Sequence, residues 1–337
     1  MAETSTKNEK TNDTVARVVA EYKGMYKVRE NECEYLAQIT GEQIFKAEAR
    51  TDFPVVGDFV IVKNQGVDKR IILKILPRET LLKTKAQVIA ANIDAAFIIE
   101  SIDRDFNLNR FERYFVLVKA AKIKPVIILN KIDLISEAEL DSKLEQIKSR
   151  FPDIDAIVTS TVNQQGISQL LEHTEKGKTY CFLGSSGVGK STLINKLLNE
   201  NRIKTAEISD SANRGKHTTT SREMYFLANG AIVIDNPGMR EVDIENSGTG
   251  IDDVFEEIIT VAKKCKFSNC THNHEPGCAV QMAIDNQTLD SNKFQNYLKL
   301  KKEDEYFSLS DFEKREKNRK FGKFIKKAKE QIHEYRR

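Results

Sequence analysis

The chain has 337 residues, of which 40% are apolar and 31% charged, and its formal net charge is +3. This length allows two or three domains with their own cores, and the composition excludes a fibrous or wholly disordered protein. No apolar run approaches the ~18 residues of a membrane span, and five cysteines, an odd number, argue against a disulfide framework.

The N-terminal part of the sequence predicts a polar tail followed by a small β-barrel. Residues 1–13 lack the apolar core of a signal peptide, so we expect a disordered tail and a cytoplasmic protein. From residue 14 to 82, β-type runs alternate with glycine-marked turns, which predicts about five strands closed into an OB-fold. Such barrels often bind RNA. The candidate contacts are Arg17, Tyr22, Lys23, Tyr26 and Lys27, although packing of these aromatic side chains inside the barrel explains the pattern equally well.

Residues 83–243 predict a doubly wound α/β domain. Continuous apolar runs such as "AAFIIE" and "PVIILN" are typical of parallel strands that are buried on both faces. Between these two runs, apolar residues recur at helical spacing after a possible helix cap, Asn109. Further strands are expected at "DAIVTS", "TYCFLG", "MYFL" and "AIVID". Cys33 and Cys181 lie in β-type segments and are expected to be buried thiols.

The motif "GSSGVGKS" lies between a predicted strand and a predicted helix, as a phosphate-binding loop requires. Its glycines let backbone N–H groups approach phosphates, the lysine neutralises charge, and the serine hydroxyl is a ligand for Mg²⁺. The candidate contacts are Gly184, Ser185, Ser186, Gly187, Val188, Gly189, Lys190, Ser191 and Thr192. The loop alone does not distinguish ATP from GTP.

The motif "NKID" indicates guanine. The Asp133 carboxylate can accept hydrogen bonds from N1–H and the exocyclic amine of guanine, a donor pair that adenine lacks. Asn130 would serve the carbonyl side of the base, and the stem of Lys131 would cover its face. Ser160 and Thr161, after the next strand, would place backbone N–H groups near the guanine oxygen.

The motif "DNPG" predicts the magnesium and γ-phosphate contacts. Asp235 would hold Mg²⁺ through water, and the Gly238 N–H would sense the γ-phosphate. Upstream, "NRGKHTTTS" is expected to be a switch loop whose Thr219, rather than Thr218, binds Mg²⁺. Met239 stands where many GTPases carry a glutamine that orients the attacking water, so slow intrinsic hydrolysis is expected. His217 is a candidate replacement, and contact with RNA or solvent is the alternative for it.

Residues 244–337 predict a helical, zinc-binding and basic domain. Three cysteines and a histidine lie within fourteen residues, which suits a closed tetrahedral Zn²⁺ site. The predicted ligands are Cys265, Cys270, His272 and Cys278, with His274 as the competing histidine. Residues 313–337 carry eleven Lys/Arg and four Glu, a net charge of +7, so the rest of the chain is at −4. This segregation favours nucleic acid as a partner, and a solvated helix face is the alternative.

The order of the motifs is itself informative. The guanine motif precedes the phosphate loop, which is a cyclic permutation of the usual GTPase order. Residues 166–178 would supply the helix and loop that join the original ends. The chain leaving "DNPG" then runs directly into the zinc segment, so we expect nucleotide state to be communicated to the flanking domains.

These motifs in this order resemble the circularly permuted, ribosome small-subunit-dependent GTPases of the RsgA family, also called YjeQ or YloQ. The resemblance spans about residues 14–278. It implies an OB-fold, a permuted GTPase domain and a zinc domain, with Cys265, Cys270, His272 and Cys278 as zinc ligands and His217 as the switch-loop histidine. Two positions depart from the family pattern: Asn213 stands before "RGKHTTT", and Asn236 stands inside the "DNPG" motif.

The leading hypothesis is therefore a GTPase that checks late maturation of the small (30S) ribosomal subunit, is stimulated by that subunit and contacts its 16S rRNA. It would use GTP, Mg²⁺ and one Zn²⁺, and its catalytic residues would be Lys190, Thr219 and His217. We expect it to act as a monomer and without a membrane. The alternative is an RNA-binding assembly factor in which GTP is a regulatory ligand with incidental turnover. An ATP-using kinase is disfavoured by the guanine motif.

Overall fold

The computed structural model describes residues 13–22, 24–103, 106–203, 222–236, 243–244, 247–273, 275–310, 312–316, 318–319 and 325. The chain divides into two compact units, Met1–Val242 and Asp243–Arg337. Several predicted residues lie outside the described ranges, namely Lys23, His217, Thr219, Gly238, His274 and most of the basic tail. Within the described ranges, no helix is both long and apolar enough to cross a membrane.

The N-terminal strands form a closed five-stranded barrel, which confirms the predicted OB-type fold. The strands are β1 (Asp13–Tyr22), β2 (Met25–Glu30), β3 (Cys33–Ile39), β4 (Phe59–Asn64) and β5 (Lys69–Ile75). They pair in the order β1-β2-β3-β5-β4, and β4 pairs again with β1 to close the barrel. Val18, Val28 and Ile72 lie in its core, and so does Tyr26, for which packing is therefore the correct interpretation. Cys33 is exposed, contrary to the prediction, whereas Cys181 is buried.

A short helix and a hairpin complete this part of the chain. Helix α1 (Gly41–Lys46) begins at a capping box in which the side chains of Thr40 and Gln43 satisfy each other's backbone N–H groups. The hairpin of β6 (Leu81–Lys83) and β7 (Val88–Ala91) follows the barrel. Its apolar residues pack on Val55, which precedes β4, so the hairpin is attached to the barrel.

A six-stranded sheet forms the rest of the first unit. Its strands are β8 (Ala95–Ser101), β9 (Lys124–Asn130), β10 (Ala156–Thr159), β11 (Thr179–Leu183), β12 (Glu223–Phe226) and β13 (Ile232–Asp235). They pair in the order β10-β9-β8-β11-β13-β12, parallel throughout except for β12. β8 is buried along its whole length, as its continuous apolar run predicts.

Four helices belong to this sheet: α2 (Leu108–Ala120), α3 (Glu137–Arg150), α4 (Ile167–Glu172) and α5 (Lys190–Leu198). α4 lies in the segment predicted to join the permuted ends. The prediction that Asn109 caps α2 is wrong. The cap is Asn107, whose side-chain oxygen accepts hydrogen bonds from the N–H groups of Asn109 and Arg110.

The barrel continues the sheet. Strand β1 pairs antiparallel with β12 at Ala20 and Glu223. Arg17 of β1 also donates a 2.8 Å hydrogen bond to the hydroxyl of Thr179, the first residue of β11. Burial lowers the pKa of Arg17 to about 10. Arg17 is thus a structural contact between barrel and sheet, and not a free cation for RNA.

The second unit is helical in its described part, as predicted. Its helices include α6 (Gly248–Val254), α7 (Glu256–Ala262), α8 (Ala279–Asp285) and α9 (Ser291–Ser308). Phe255 and Phe294 are buried in this unit, and the segment between α7 and α8 carries the cysteines.

Candidate functional site

The predicted site residues of the first unit that lie within the described ranges meet at one edge of the parallel sheet. Asn130 ends β9, Ser160 follows β10, the loop 184–189 follows β11, and Asp235 ends β13. Ligands of open α/β sheets bind outside the carboxyl ends of the strands, where these residues lie. The sequence order places Asn130 and Lys190 sixty residues apart, and the sheet order brings their strands close together.

The loop 184–189 has the backbone of a phosphate cradle. Gly184, Gly187 and Gly189 all have positive φ, at 148°, 84° and 98°, a region that favours glycine. A side chain on Gly184 would collide with the carbonyl oxygen of Ile99, so the close approach to β8 also requires glycine. The loop then enters α5 at Lys190, leaving backbone N–H groups at the helix N-terminus for an anion.

Lys190 lies inside the loop. Its ammonium donates to the carbonyl oxygens of Gly184 and Ser185, at 2.8 and 2.7 Å, and the side chain is 6% exposed. Burial lowers the pKa of Lys190 to about 8, with the Asp235 carboxylate acting in the opposite direction. The cation is therefore held where phosphate oxygens would meet it.

Ser191 and Asp235 form an oxygen-rich pair beside the loop. The Ser191 hydroxyl donates to Asp235 Oδ2 at 3.3 Å. Asp235 Oδ1 is buried and makes no hydrogen bond to the described residues, and burial raises the pKa of this carboxyl. A buried carboxylate oxygen without a protein donor fits a cation with oxygen ligands, which is the preference of Mg²⁺.

Asn130 connects the guanine motif with the phosphate loop. Its side chain is fully buried, and its amide nitrogen donates to the Val188 carbonyl oxygen at 2.8 Å. Its amide oxygen accepts from the Thr159 hydroxyl at 3.1 Å. A side chain on Gly189 would overlap the Asn130 amide, so this glycine is required for the contact.

Asp133 and Ser160 lie together on the exposed side of the same edge. The Ser160 hydroxyl donates to Asp133 Oδ1 and accepts from the Val162 N–H at 3.2 Å. Asp133 is exposed and stands in a short 3-10 helix that follows Lys131, which has positive φ. Asp133 and its partner loop are thus fixed relative to each other, with the carboxylate open to a ligand.

Three residues of this site escaped the sequence analysis. Thr159 orients Asn130, and Arg222 contacts Asn236, the residue after Asp235. Tyr114 of α2 is buried, makes a side-chain hydrogen bond to Ser185, and has its pKa raised to about 12 by burial. None of the three belongs to a recognisable motif, so only the tertiary structure identifies them.

The second unit carries the predicted metal cluster. One ligand atom from each of Cys265, Cys270, His272 and Cys278 lies within 4.8 Å of all the others. His272 Nδ1 is 3.5 Å from Sγ of both Cys265 and Cys278, which are 4.0 Å apart. A tetrahedral Zn²⁺ site with ordinary bond lengths has S–S and S–N edges of about 3.8 and 3.6 Å. The cluster therefore fits zinc.

The loop around the cluster is held by hydrogen bonds. The Glu275 carboxylate accepts from the backbone N–H groups of Thr271 and Asn273, at 2.8 and 3.0 Å. Gln281 donates to the carbonyl oxygen of His272. These contacts support the positive φ of 60° at His272, which aims its ring at the cysteines.

The chain is similar to known GTPases in both sequence and structure. A family model described as RsgA GTPase matches residues 75–245. The chain is 39% identical over 322 residues to the "Small ribosomal subunit biogenesis GTPase RsgA 1" of Bacteroides thetaiotaomicron, covering 93% of this chain and 89% of that relative.

Two solved structures are similar over nearly the whole described chain. YjeQ from Thermotoga maritima matches with a TM-score of 0.64 and 26% identity, over 86% of this chain and 97% of its own. YloQ, described as a circularly permuted GTPase, matches with a TM-score of 0.62 and 22% identity, over 87% and 95%. The second likeness supports the fold alone.

Proposed function

The chain belongs to the RsgA family of GTPases, and on that premise we propose that it hydrolyses GTP during biogenesis of the small ribosomal subunit. One observation carries the assignment of the site: the Asn130 amide bonds to the Val188 carbonyl, which joins the guanine motif to the phosphate loop. One nucleotide can therefore contact both.

We assign nucleotide binding as follows. The backbone N–H groups of residues 184–192 would surround the β- and γ-phosphates, and Lys190 would neutralise their charge. Asp133 would accept the two guanine donors, Lys131 would cover the base, and the loop of Ser160 and Thr161 would face the guanine oxygen. Asn130 acts mainly as a positioning residue, since its amide is buried against protein atoms.

Ser191 and Asp235 would hold Mg²⁺, the latter through water, together with Thr219. Bound there, the ion would neutralise charge that develops on the phosphates. Gly238 would sense the γ-phosphate. The catalytic step would need a positioned water, and we assign the positioning of that water to His217, because the thioether of Met239 is only a weak acceptor and cannot orient a water as a glutamine amide does. Stimulated turnover of His217→Ala tests this assignment, and unchanged turnover contradicts it.

The cluster of Cys265, Cys270, His272 and Cys278 would bind one structural Zn²⁺. With four protein ligands it is closed, so it offers no open position for chemistry. Its role would be to fold a segment that has few other buried residues.

We propose 16S rRNA of the small subunit as the partner, contacted in part by the basic residues 313–337. The protein would act as a cytoplasmic monomer. The second candidate function is an RNA-binding assembly factor with incidental GTP turnover. It is favoured by the absence of a glutamine after the "DNPG" motif.

One experiment separates the two functions. GTP turnover is measured with and without purified small subunits, with large subunits as the control, across a salt series. A large, saturable stimulation by small subunits that weakens as salt rises supports the stimulated GTPase. Equal rates with either subunit contradict it and favour the assembly factor.

A further inference from the structure

Arg222 occupies an unusual position between two elements of the first unit. It directly precedes β12, and the pairing of Glu223 with Asp235 places it opposite Asn236 on the neighbouring strand. On its other side lies β7 of the hairpin that is attached to the barrel. Arg222 thus lies between the end of β13 and that hairpin.

Its guanidinium uses donors in three directions. Nε donates to Asn236 Oδ1 at 2.9 Å, and Nη1 donates to the Val88 carbonyl oxygen at 3.0 Å. Nη2 donates to Gln87 Oε1. All three acceptors are neutral oxygens, and Asn236 is itself 1% exposed.

Arg222 is a partly buried cation that has no carboxylate among its hydrogen-bond acceptors in the described part of the chain. Burial lowers the pKa of Arg222 and the charge of Glu21 acts in the opposite direction, so the charged form loses more solvation than its surroundings return. An apolar side chain of similar length would avoid this cost, but it would leave the buried Asn236 Oδ1 without its donor. Local conflicts of this kind concentrate at functional sites.

We propose that Arg222 is a positioning residue of the nucleotide site: it fixes Asn236, and through it Asp235, against the hairpin at Gln87 and Val88. This inference rests on the proposed GTPase function. Asn236 is bonded covalently to Asp235, so a shift of Asn236 moves the carboxylate that would hold Mg²⁺. Lysine cannot replace the arginine fully, because an ammonium lacks the planar fork that serves three separate acceptors.

The test compares Arg222→Met, Arg222→Lys and Asn236→Ala with the wild-type chain. The matched control is Arg202→Met, which removes an exposed arginine that forms an ion pair with Glu200 on its own segment. GDP affinity is measured with and without Mg²⁺, and kcat and KM are measured for GTP. Hydrogen exchange of the peptide covering 232–236 is measured in the nucleotide-free chain.

We expect kcat of Arg222→Met to fall about 10- to 100-fold, the usual effect of losing a residue that orients a metal ligand, and KM for GTP in Mg²⁺ to rise by the same factor as the loss of GDP affinity. GDP affinity should fall in Mg²⁺ and stay unchanged without it. Exchange at 232–236 should rise about fivefold, as expected from losing one hydrogen bond. In all three measurements Arg222→Lys should lie between the wild-type chain and Arg222→Met, and Asn236→Ala should match Arg222→Met. The double variant Arg222→Met/Asn236→Ala should lose no more activity than either single variant.

Three results would overturn the inference: kcat and exchange like those of the Arg202→Met control, an equal loss of GDP affinity with and without Mg²⁺, or additive losses in the double variant. If the wild-type chain itself hydrolyses no GTP, the proposed function fails. The exchange and GDP measurements then still decide the role of Arg222. If Arg222→Met does not fold, Arg222→Lys and Asn236→Ala carry the same comparison.

Discussion

Replacing Gly189 with alanine tests whether the guanine motif and the phosphate loop form one site. A Cβ at this position overlaps the buried Asn130 amide, which bonds to Val188 and Thr159. Gly187 is the matched control, because it has a similar positive φ and no described atom within 4 Å of its built Cβ. Both variants strain the backbone, and only Gly189→Ala displaces Asn130.

The expected difference follows from these contacts. An alanine in the left-handed region costs about 1–2 kcal/mol, which applies to both variants. Gly189→Ala additionally loses two hydrogen bonds at about 1 kcal/mol each and leaves a buried amide poorly satisfied. The nucleotide-free Gly189→Ala protein should therefore be about 2–3 kcal/mol less stable than Gly187→Ala, which corresponds to a Tm about 5–10 °C lower.

The assay is scanning calorimetry of both nucleotide-free variants, accompanied by circular dichroism to confirm folding. Displacing Asn130 would also disturb the segment from Asn130 to Asp133, which carries the guanine contact. GDP binding by Gly189→Ala should therefore weaken more than GDP binding by Gly187→Ala. Equal melting temperatures for the two alanine variants would refute the proposed contact between Asn130 and the loop, and with it the argument for a single nucleotide site.

Three further outcomes are expected. Asp133→Asn should shift preference from GTP to xanthosine triphosphate, measured by competition binding; retained GTP preference would contradict the guanine contact. The pKa of Lys190 is about 8 in the nucleotide-free protein, so its positive charge is lost as pH rises from 7 to 9. GDP affinity should therefore fall about tenfold over this range. An affinity that does not change with pH would argue against a phosphate contact by Lys190. Cys278→Ser, or chelation of the metal, should increase hydrogen exchange across the second unit while the first unit stays protected, because structural zinc contributes folding energy; Cys33→Ser, at an exposed cysteine, is the control and should exchange like wild type.

The fold and the site were predictable from the sequence to different extents. Continuous apolar runs predict the parallel strands, and the spacing of the cysteines predicts the metal cluster. Short motifs predict positions such as Lys190 and Asp133 because their chemistry depends on local backbone geometry. The closed barrel was also predictable, since glycine-marked turns recur at regular intervals.

The remaining features depend on residues that are distant in sequence. Arg222 contacts Gln87 and Val88, more than 130 residues away, and nothing in its local sequence distinguishes it from an exposed arginine. Arg17 resembled an RNA contact for the same reason, until the structure placed it against Thr179. Cys33 lies in a β-type run, but the side of the strand that faces the core depends on register.

The pairing of β1 with β12 has a consequence for dissecting the molecule. β12 would be an edge strand of the six-stranded sheet if the barrel were removed, and edge strands with free backbone groups recruit further strands. A fragment that begins after the barrel would present this edge to a second copy of itself. Such a truncated protein should aggregate or form strand-exchanged dimers, and its behaviour would not represent that of the same domain in the intact chain.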